Sequence, residues 1–437
     1  MGLLTFKGGT HPPHSKKFSE KKPIEKAKIP KIVKISLNQH IGAPTKPIVE
    51  KGEYVKVGQK IGKASAFVSA PVHSSISGTV KSIEETNIGG GTGKCIIIES
   101  DGKMAISENV SSKGDISNLS KDDILEIIKE AGIVGMGGAG FPTHVKLSPP
   151  PEKEIDLVIL NGAECEPYLT TDHRLMLERA ENIVYGLKAM MKVLDVKKGY
   201  IGIENNKLDA IEVMKEACIN ENIEVKVLET KYPQGAEKQL IDAISGREVP
   251  SGGLPMDVGA VVNNVATAYQ IAISIKEGMP LVERICTITG SAIKTPKNLE
   301  IKVGSPINEI IDQCDGFEKE PGKIILGGPM MGKATSTIDI PSTKTTSGIL
   351  CFDKKDANIN QPGPCIKCGR CVDVCPINLL PVYISSNAEN GNFDKSEQLN
   401  SMDCIECGTC SFVCPSNRRL LEGIRLSKDR IRNKKQN

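Results

Sequence analysis

CIKCGRCVDVCP (365–376) is written a second time as CIECGTCSFVCP (404–415). Each copy sets three cysteines two residues apart, then a fourth, before proline, after three more. This is the spacing with which thiolates hold paired 4Fe-4S cubanes, the fourth cysteine of each run serving the other cluster. By that rule Cys365, Cys368, Cys371 and Cys414 hold one cluster, and Cys404, Cys407, Cys410 and Cys375 hold its neighbour. Zinc also uses Cys-x-x-Cys, but as two separated pairs; here the third cysteine and the proline-marked fourth recur in both copies. A disulfide framework suits short secreted chains, whereas this one is long and opens MGLLTFKGGTHPPHSKK, without an export signal. Cys95, Cys165, Cys218, Cys286, Cys314 and Cys351 have no ligand spacing and read as small buried hydrophobes. Residues 363–417 are therefore expected to form a double 4Fe-4S, ferredoxin-type helical domain through which electrons pass.

The 437 residues leave room for roughly three domains at about 150 residues each. A hydrophobic content of 39% with 25% charge is ordinary for a soluble globular protein, and no window holds the eighteen or so apolar residues of a spanning helix. A reducing cytoplasm is expected, which suits thiolate ligands. The net charge is only +3 but unevenly placed: residues 1–34 carry nine lysines against Glu20 and Glu25, and the tail from Arg418 has eight basic residues against Glu422 and Asp429. Such runs are usually solvated, mobile termini; their functional reading is docking on an acidic protein or membrane face. With no Trp, and no aromatic interleaved in the tail, a nucleic-acid partner is not expected.

Upstream, residues 31–115 alternate Val and Ile in short runs broken at Gly52, Gly58, Gly62 and Gly78, which predicts a small all-β barrel. Residues 116–278 read as an α/β domain. KDDILEIIKEAG (121–132) has helical apolar spacing, and the glycine-rich IVGMGGAGFPTHVK follows, its uncovered backbone N–H groups suited to a phosphate. It is neither G-x-G-x-x-G nor a Walker loop. IDLVILNGAECEPYL reads as a buried strand running into an acidic loop, the usual geometry of an α/β site. Residues 279–335 alternate as a strand pair and then take helical spacing, 336–362 read as a linker, and 418–437 are the basic tail, as 1–30 are the basic opening segment.

GGAGFPTHVK (137–146), NGAECEPYLTTDHRLM (161–176), KYPQGAEKQLI (231–241) and VNNVAT (262–267) carry a resemblance to the NADH-oxidising FMN subunit of respiratory complex I. The chain is more similar still to the RnfC family of Rnf electron-transport complexes, which also opens with a GGTHPPHSKK-like segment (here 8–17) and ends in two 4Fe-4S clusters. The resemblance implies four units: a barrel-sandwich domain like lipoyl and biotinyl carriers, an α/β flavin domain, an SLBB-like β-grasp module acting as a spacer, and the cluster domain. KASAF at the barrel's hairpin tip lacks the Met-Lys-Met of biotin carriers, so no swinging cofactor is expected.

Residue by residue, the resemblance implies that Gly137, Gly138, Ala139 and Gly140 lie against non-covalent FMN, with Lys146 offering a cation and Asn161 a hydrogen bond to the ring or ribityl chain. Glu164 would stand beside the flavin and Glu166 face the nicotinamide ribose. Gly235 and Glu237 would form a flavin-side turn with Tyr232 near the dinucleotide, and Asn263, Asn264 and Thr267 would hold the phosphate end. Two departures stand out: Ala163 replaces an aspartate, and Met136 the arginine of the glycine loop, so the FMN contacts are shared more fully than those to NAD(H).

Blander readings compete. Glu164 and Glu166 could cap the helix after Pro167, Asn263 and Asn264 could be turn formers, and His144, His173 and Phe141 could merely pack. NADH gives two electrons as hydride and a cluster takes one, so a flavin must convert between them. The expectation is a peripheral subunit on the cytoplasmic side of an ion-translocating ferredoxin:NAD oxidoreductase. It would meet ferredoxin only indirectly, through partner subunits of the membrane complex. A soluble flavin reductase, such as a cobalamin reductase, and a cluster-bearing scaffold are the alternatives.

Overall fold

A computed structural model describes residues 2–357 and 360–436. At its centre four parallel strands run in the order Ile223–Leu228, Gly199–Glu204, Leu157–Asn161, Ala260–Asn264. The run from Leu157 to Leu160 is buried on both faces because helices cover both sides. Ala180–Leu194 and Val265–Lys276 pack together on one side, where a Cβ at Gly186 would stand 1.9 Å from the Ala268 carbonyl oxygen. Glu237–Ser245 covers the other, through Leu240 and Ile241. The helix Lys121–Glu130 starts where its sequence predicts: Ser120 and Asp123 cap each other reciprocally, and Ile124 and Ile128 bury one face.

The barrel-sandwich unit consists of two small sheets. One orders Ile32–Ser36, Thr92–Ser100, Gly78–Asn87 and Tyr54–Val55; the other orders Lys46–Pro47, Lys60–Lys63 and Val72–His73. Val33, Ile35, Ile61, Val72, Ile96 and Ile98 fill the space between them.

Three sequence readings need correction. The expected linker, residues 336–362, contains Gly348–Asp353, a fully buried strand that pairs with Glu283–Thr289 and Pro321–Leu326 inside the six-stranded β-grasp sheet. The basic opening segment is not a solvated arm: Ile24–Lys26 adds an edge strand to the same sheet, and Lys16 is 5% exposed. The basic tail is likewise ordered, as the helix Leu420–Gln436. Its Leu420, Ile424 and Ile431 are buried, and Lys428 donates to the Cys404 carbonyl at 2.6 Å. In the two basic segments apolar residues spaced among the lysines and arginines supply a face to bury, which net charge conceals.

The cluster domain repeats its backbone as it repeats its sequence. Lys367 and Glu406 both have φ of 58°, Gly369 and Gly408 both 79°, and each glycine leads into a four-residue helix, Arg370–Asp373 or Thr409–Phe412.

Candidate functional site

The glycine loop is closed at its base by Gly135 N–H donating to the Phe141 carbonyl at 2.9 Å. Gly137, Gly138 and Ala139 are exposed at its tip. A Cβ at Gly138 would meet nothing within 4 Å, whereas one at Gly137 would stand 2.8 Å from Asn264 Nδ2. Gly140, at φ 70°, is buried under Thr345 and the Gln39 carbonyl. Asn264 caps the helix Val265–Lys276 by accepting from Ala266 N–H at 2.8 Å, and its amide donates to Asp172 Oδ2 at 2.7 Å. Thr267 Oγ1 accepts from Met136 N–H at 3.2 Å. Asn161, ending its strand, donates to the Gly235 carbonyl at 2.7 Å, and Lys146 pairs with Glu237.

These residues come together at the carboxyl ends of Leu157–Asn161 and Ala260–Asn264, where open α/β sheets hold their ligands. Asn263 Nδ2 and both side-chain polar atoms of Gln234 are buried without a protein partner. Exposed loop amides, open space at Gly138, a helix N-terminus and orphaned amides fit a planar ligand carrying a phosphate. FMN would be held by the glycine loop, Asn161, Asn263, Asn264 and Thr267.

The acidic loop divides its two carboxylates. Glu164, at φ 45°, accepts from Asp172 N–H at 2.7 Å, Thr171 Oγ1 at 3.2 Å and His173 N–H at 3.3 Å, so it caps the helix Thr171–Glu178 as the blander reading anticipates. Lys16 Nζ lies 3.7 Å from its carboxylate and donates to the carbonyls of Glu164, Glu166 and Leu169. Burial, with Glu164 beside it, pushes the Asp172 carboxyl up to about 7. Glu166 turns away to the β-grasp unit, accepting from Met330 N–H at 3.0 Å and Met331 N–H at 2.9 Å, and burial pushes its pKa up. Tyr232, 1% exposed, donates to the Cys407 carbonyl at 2.8 Å. The two residues assigned to the dinucleotide by resemblance thus meet the β-grasp loop and the cluster domain. His173 bonds Asp209 at 2.8 Å, and His144 packs edge-on to Phe67 of the barrel.

Cys375, Cys404, Cys407 and Cys410 line one apolar cavity with Leu379 and Leu421. They surround a space rather than converge on a point: among the described residues no three His, Cys, Asp or Glu side chains are grouped to hold a single ion. Burial pushes the Cys404 thiol up to about 11 and Cys410 up to about 12, so loading a cluster must expel those protons. Leu379 N–H points at Cys375 Sγ (3.2 Å) and Glu406 N–H at Cys404 Sγ (3.4 Å), the kind of contact that tunes a bound cluster. This donor set fits a 4Fe-4S cubane. Of the other set, Cys365 and Cys368 are exposed, Cys414 is half-buried and Cys371 is buried.

The cavity of Cys404, Cys407, Cys410 and Cys375 also touches the flavin domain. Besides Tyr232, Gln239 Nε2 donates to the Pro376 carbonyl at 3.2 Å, and from the opening segment Gly9 N–H donates to the Val374 carbonyl at 2.9 Å. Lys16, Gln234, Lys207 and Arg284 escaped the sequence reading. Lys207 forms a buried pair with Glu204 at 3.2 Å. Lys16 and Gln234 had a signal, their places in the GGTHPPHSKK and KYPQGAEKQLI segments.

Family models match four stretches in order: an RnfC barrel sandwich hybrid domain over residues 4–103, a Nuo51 FMN-binding domain over 128–273, an SLBB domain over 285–334 and a 4Fe-4S dicluster domain over 364–418. The C-subunit of the Na(+)-translocating ferredoxin:NAD(+) oxidoreductase complex of Acetobacterium woodii is 53% identical over 98% of this chain and 97% of its own length. The proton-translocating counterpart of Clostridium ljungdahlii is 52% identical over 98% of the chain and 94% of its own. The equivalent polypeptide of the ion-translocating oxidoreductase complex of Rhodobacter capsulatus is 38% identical over 98% and 83%. An NAD+-reducing [NiFe]-hydrogenase in the H2-reduced state shares the fold, with a TM-score of 0.51 at 16% identity over 73% of this chain and 62% of that one. No helix among the described residues is long and apolar enough to cross a membrane. With family models for barrel, flavin domain, β-grasp module and paired clusters matching in that order along this chain, and two relatives more than half identical over 94–97% of their own length, the chain belongs to the RnfC family of ion-translocating oxidoreductase complexes.

Proposed function

We propose that this chain is the peripheral, NAD(H)-reactive subunit of a membrane-bound ion-translocating ferredoxin:NAD oxidoreductase. It works on the cytoplasmic face and meets ferredoxin only through partner subunits. Bound FMN supplies the conversion between hydride and single electrons. The chain's own residues do the rest. Gly137–Gly140, Asn161 and Asn264 position the flavin, the helix N-terminus at Val265 favours its phosphate, and the cysteines carry two clusters in series. No spanning helix among the described residues offers an ion path, so ion movement is assigned to partner subunits.

One observation carries the direction of the wire. Tyr232, on the flavin-side turn, is hydrogen bonded to the backbone of Cys407, while Cys365 and Cys368 face solvent. The cluster on Cys375, Cys404, Cys407 and Cys410 is therefore assigned to the flavin side and the other to the partner side. The test is rapid-mixing with NADH, followed by flavin absorbance and cluster EPR. Cys365→Ala/Cys368→Ala keeps one cluster reducible at near wild-type rate. Cys404→Ala/Cys407→Ala reduces its flavin but not its remaining cluster at that rate. The opposite pattern overturns the order, and a wild-type chain whose flavin NADH does not bleach overturns the function.

A further inference from the structure

Arg284 belongs to the strand Glu283–Thr289 of the β-grasp sheet, yet its guanidinium ends beneath the glycine loop of another domain. Nη2 donates to the Met136 carbonyl at 3.1 Å, Nη1 lies 3.1 Å from Met136 Sδ, and the residue is 5% exposed. Nε has no partner. A guanidinium stays charged in a protein, and burying it costs heavily unless an anion or several acceptors surround it. Here the acceptors are one carbonyl and a thioether.

The other cations around the loop are differently placed. Lys146 is paired with Glu237, Lys207 with Glu204, and Lys16 with Glu164 and three carbonyls, while Lys344, buried at the base of the loop, donates to the carbonyls of Pro71 and Gly132. Arg284 makes no ion pair among the described residues; the acid that acts on it is Asp172, whose Oδ2 already accepts from Asn264. Met136 is also held from its other side, its N–H donating to Thr267 Oγ1 in the first turn of the helix Val265–Lys276. One residue of the glycine loop is thus pinned between a buried cation and a helix N-terminus, two features that both attract an anion.

We propose that Arg284 is a phosphate-recognition residue for FMN, supplied by the β-grasp module rather than by the flavin domain. The proposal rests on the flavin reading above and deepens it. The β-grasp module then does more than space two redox domains: its docking completes the flavin site, and flavin retention depends on it.

The test uses the full chain freed of flavin, titrated with FMN and separately with riboflavin, which lacks the phosphate, with quenching of flavin fluorescence as the readout. A lost hydrogen bond to a charged group corresponds to about 10–100-fold in affinity. Arg284→Met is expected to weaken FMN by about that factor while changing riboflavin by less than about threefold, and Arg284→Lys, which keeps the charge, to fall between. Equal losses for both flavins would make Arg284 a shaper of the loop only and overturn the proposal, as would no loss for either. A wild-type chain that binds neither flavin sinks the flavin reading as well. The FMN-to-riboflavin ratio is measured within one folded sample, so a general loss of stability does not imitate the result.

Discussion

Replacing Lys16 by Met removes the cation under the acidic loop while keeping most of its volume. Lys16 Nζ donates to the carbonyls of Glu164, Glu166 and Leu169 and lies 3.7 Å from the Glu164 carboxylate. With both side chains almost fully buried, the loss resembles breaking a buried ion pair, about 3–5 kcal/mol, against a total stability of about 5–15 kcal/mol. Glu164 keeps its bonds from Asp172, Thr171 and His173, which holds the effect near the lower bound. For a domain of this size that is a fall of about 6–12 °C in thermal midpoint. The opening segment is bound to the acidic loop through Lys16 and the Tyr168 N–H to His14 carbonyl bond of 2.9 Å, so it should also become the first site of limited proteolysis, between residues 9 and 22. Lys16→Met/Glu164→Gln, which removes the stranded charge as well, should recover part of the loss, with a coupling of about 0.5–3 kcal/mol. A midpoint within about 2 °C of wild type, an unchanged cleavage pattern, or strictly additive losses in the double variant would refute the clamp.

Two further outcomes follow from the same geometry. Gly138→Ala, with open space around its new methyl, should leave the thermal midpoint unchanged yet weaken FMN about tenfold, near 1.4 kcal/mol. Gly137→Ala presses on Asn264 at 2.8 Å and should lose about 1–3 kcal/mol of stability as well; calorimetry and flavin titration separate the pair. Burial holds the Lys344 amine down to about 7, from an ordinary 10.5, while it donates to the carbonyls of Pro71 and Gly132. Between those values the unfolded chain binds a proton the folded chain lacks, so Lys344 adds a stability gain of up to about 1.4 kcal/mol per pH unit as pH rises. Thermal midpoints at pH 7, 8 and 9 should rise less steeply in Lys344→Met than in wild type, and parallel slopes would contradict this.

What could be read in the sequence was local. The strand Leu157–Asn161, the capped helix from Lys121 and the glycine loop after it are each set by residues within a few positions of one another. The strand Gly348–Asp353 escaped because its partners lie 23 or more residues away, so its pairing leaves no nearby pattern. Glu166 and Tyr232 escaped in another way. Both lie inside recognisable motifs, but the neighbours that claim their side chains, Met330, Met331 and Cys407, come from other domains. Arg284 looked like one of many strand residues until the fold brought it under Met136.

The sequence by itself points to two clusters, because the three-cysteine spacing within each short run is local, and the ferredoxin rule proposes which fourth cysteine each one borrows from the other run. It could not orient them. The two runs are near copies down to matching left-handed residues, Lys367 with Glu406 and Gly369 with Gly408, so nothing within them distinguishes an entrance from an exit. Only the tertiary structure breaks that symmetry, by burying Cys407 and Cys375 against Tyr232, Gln239 and Gly9 while leaving Cys365 and Cys368 in solvent.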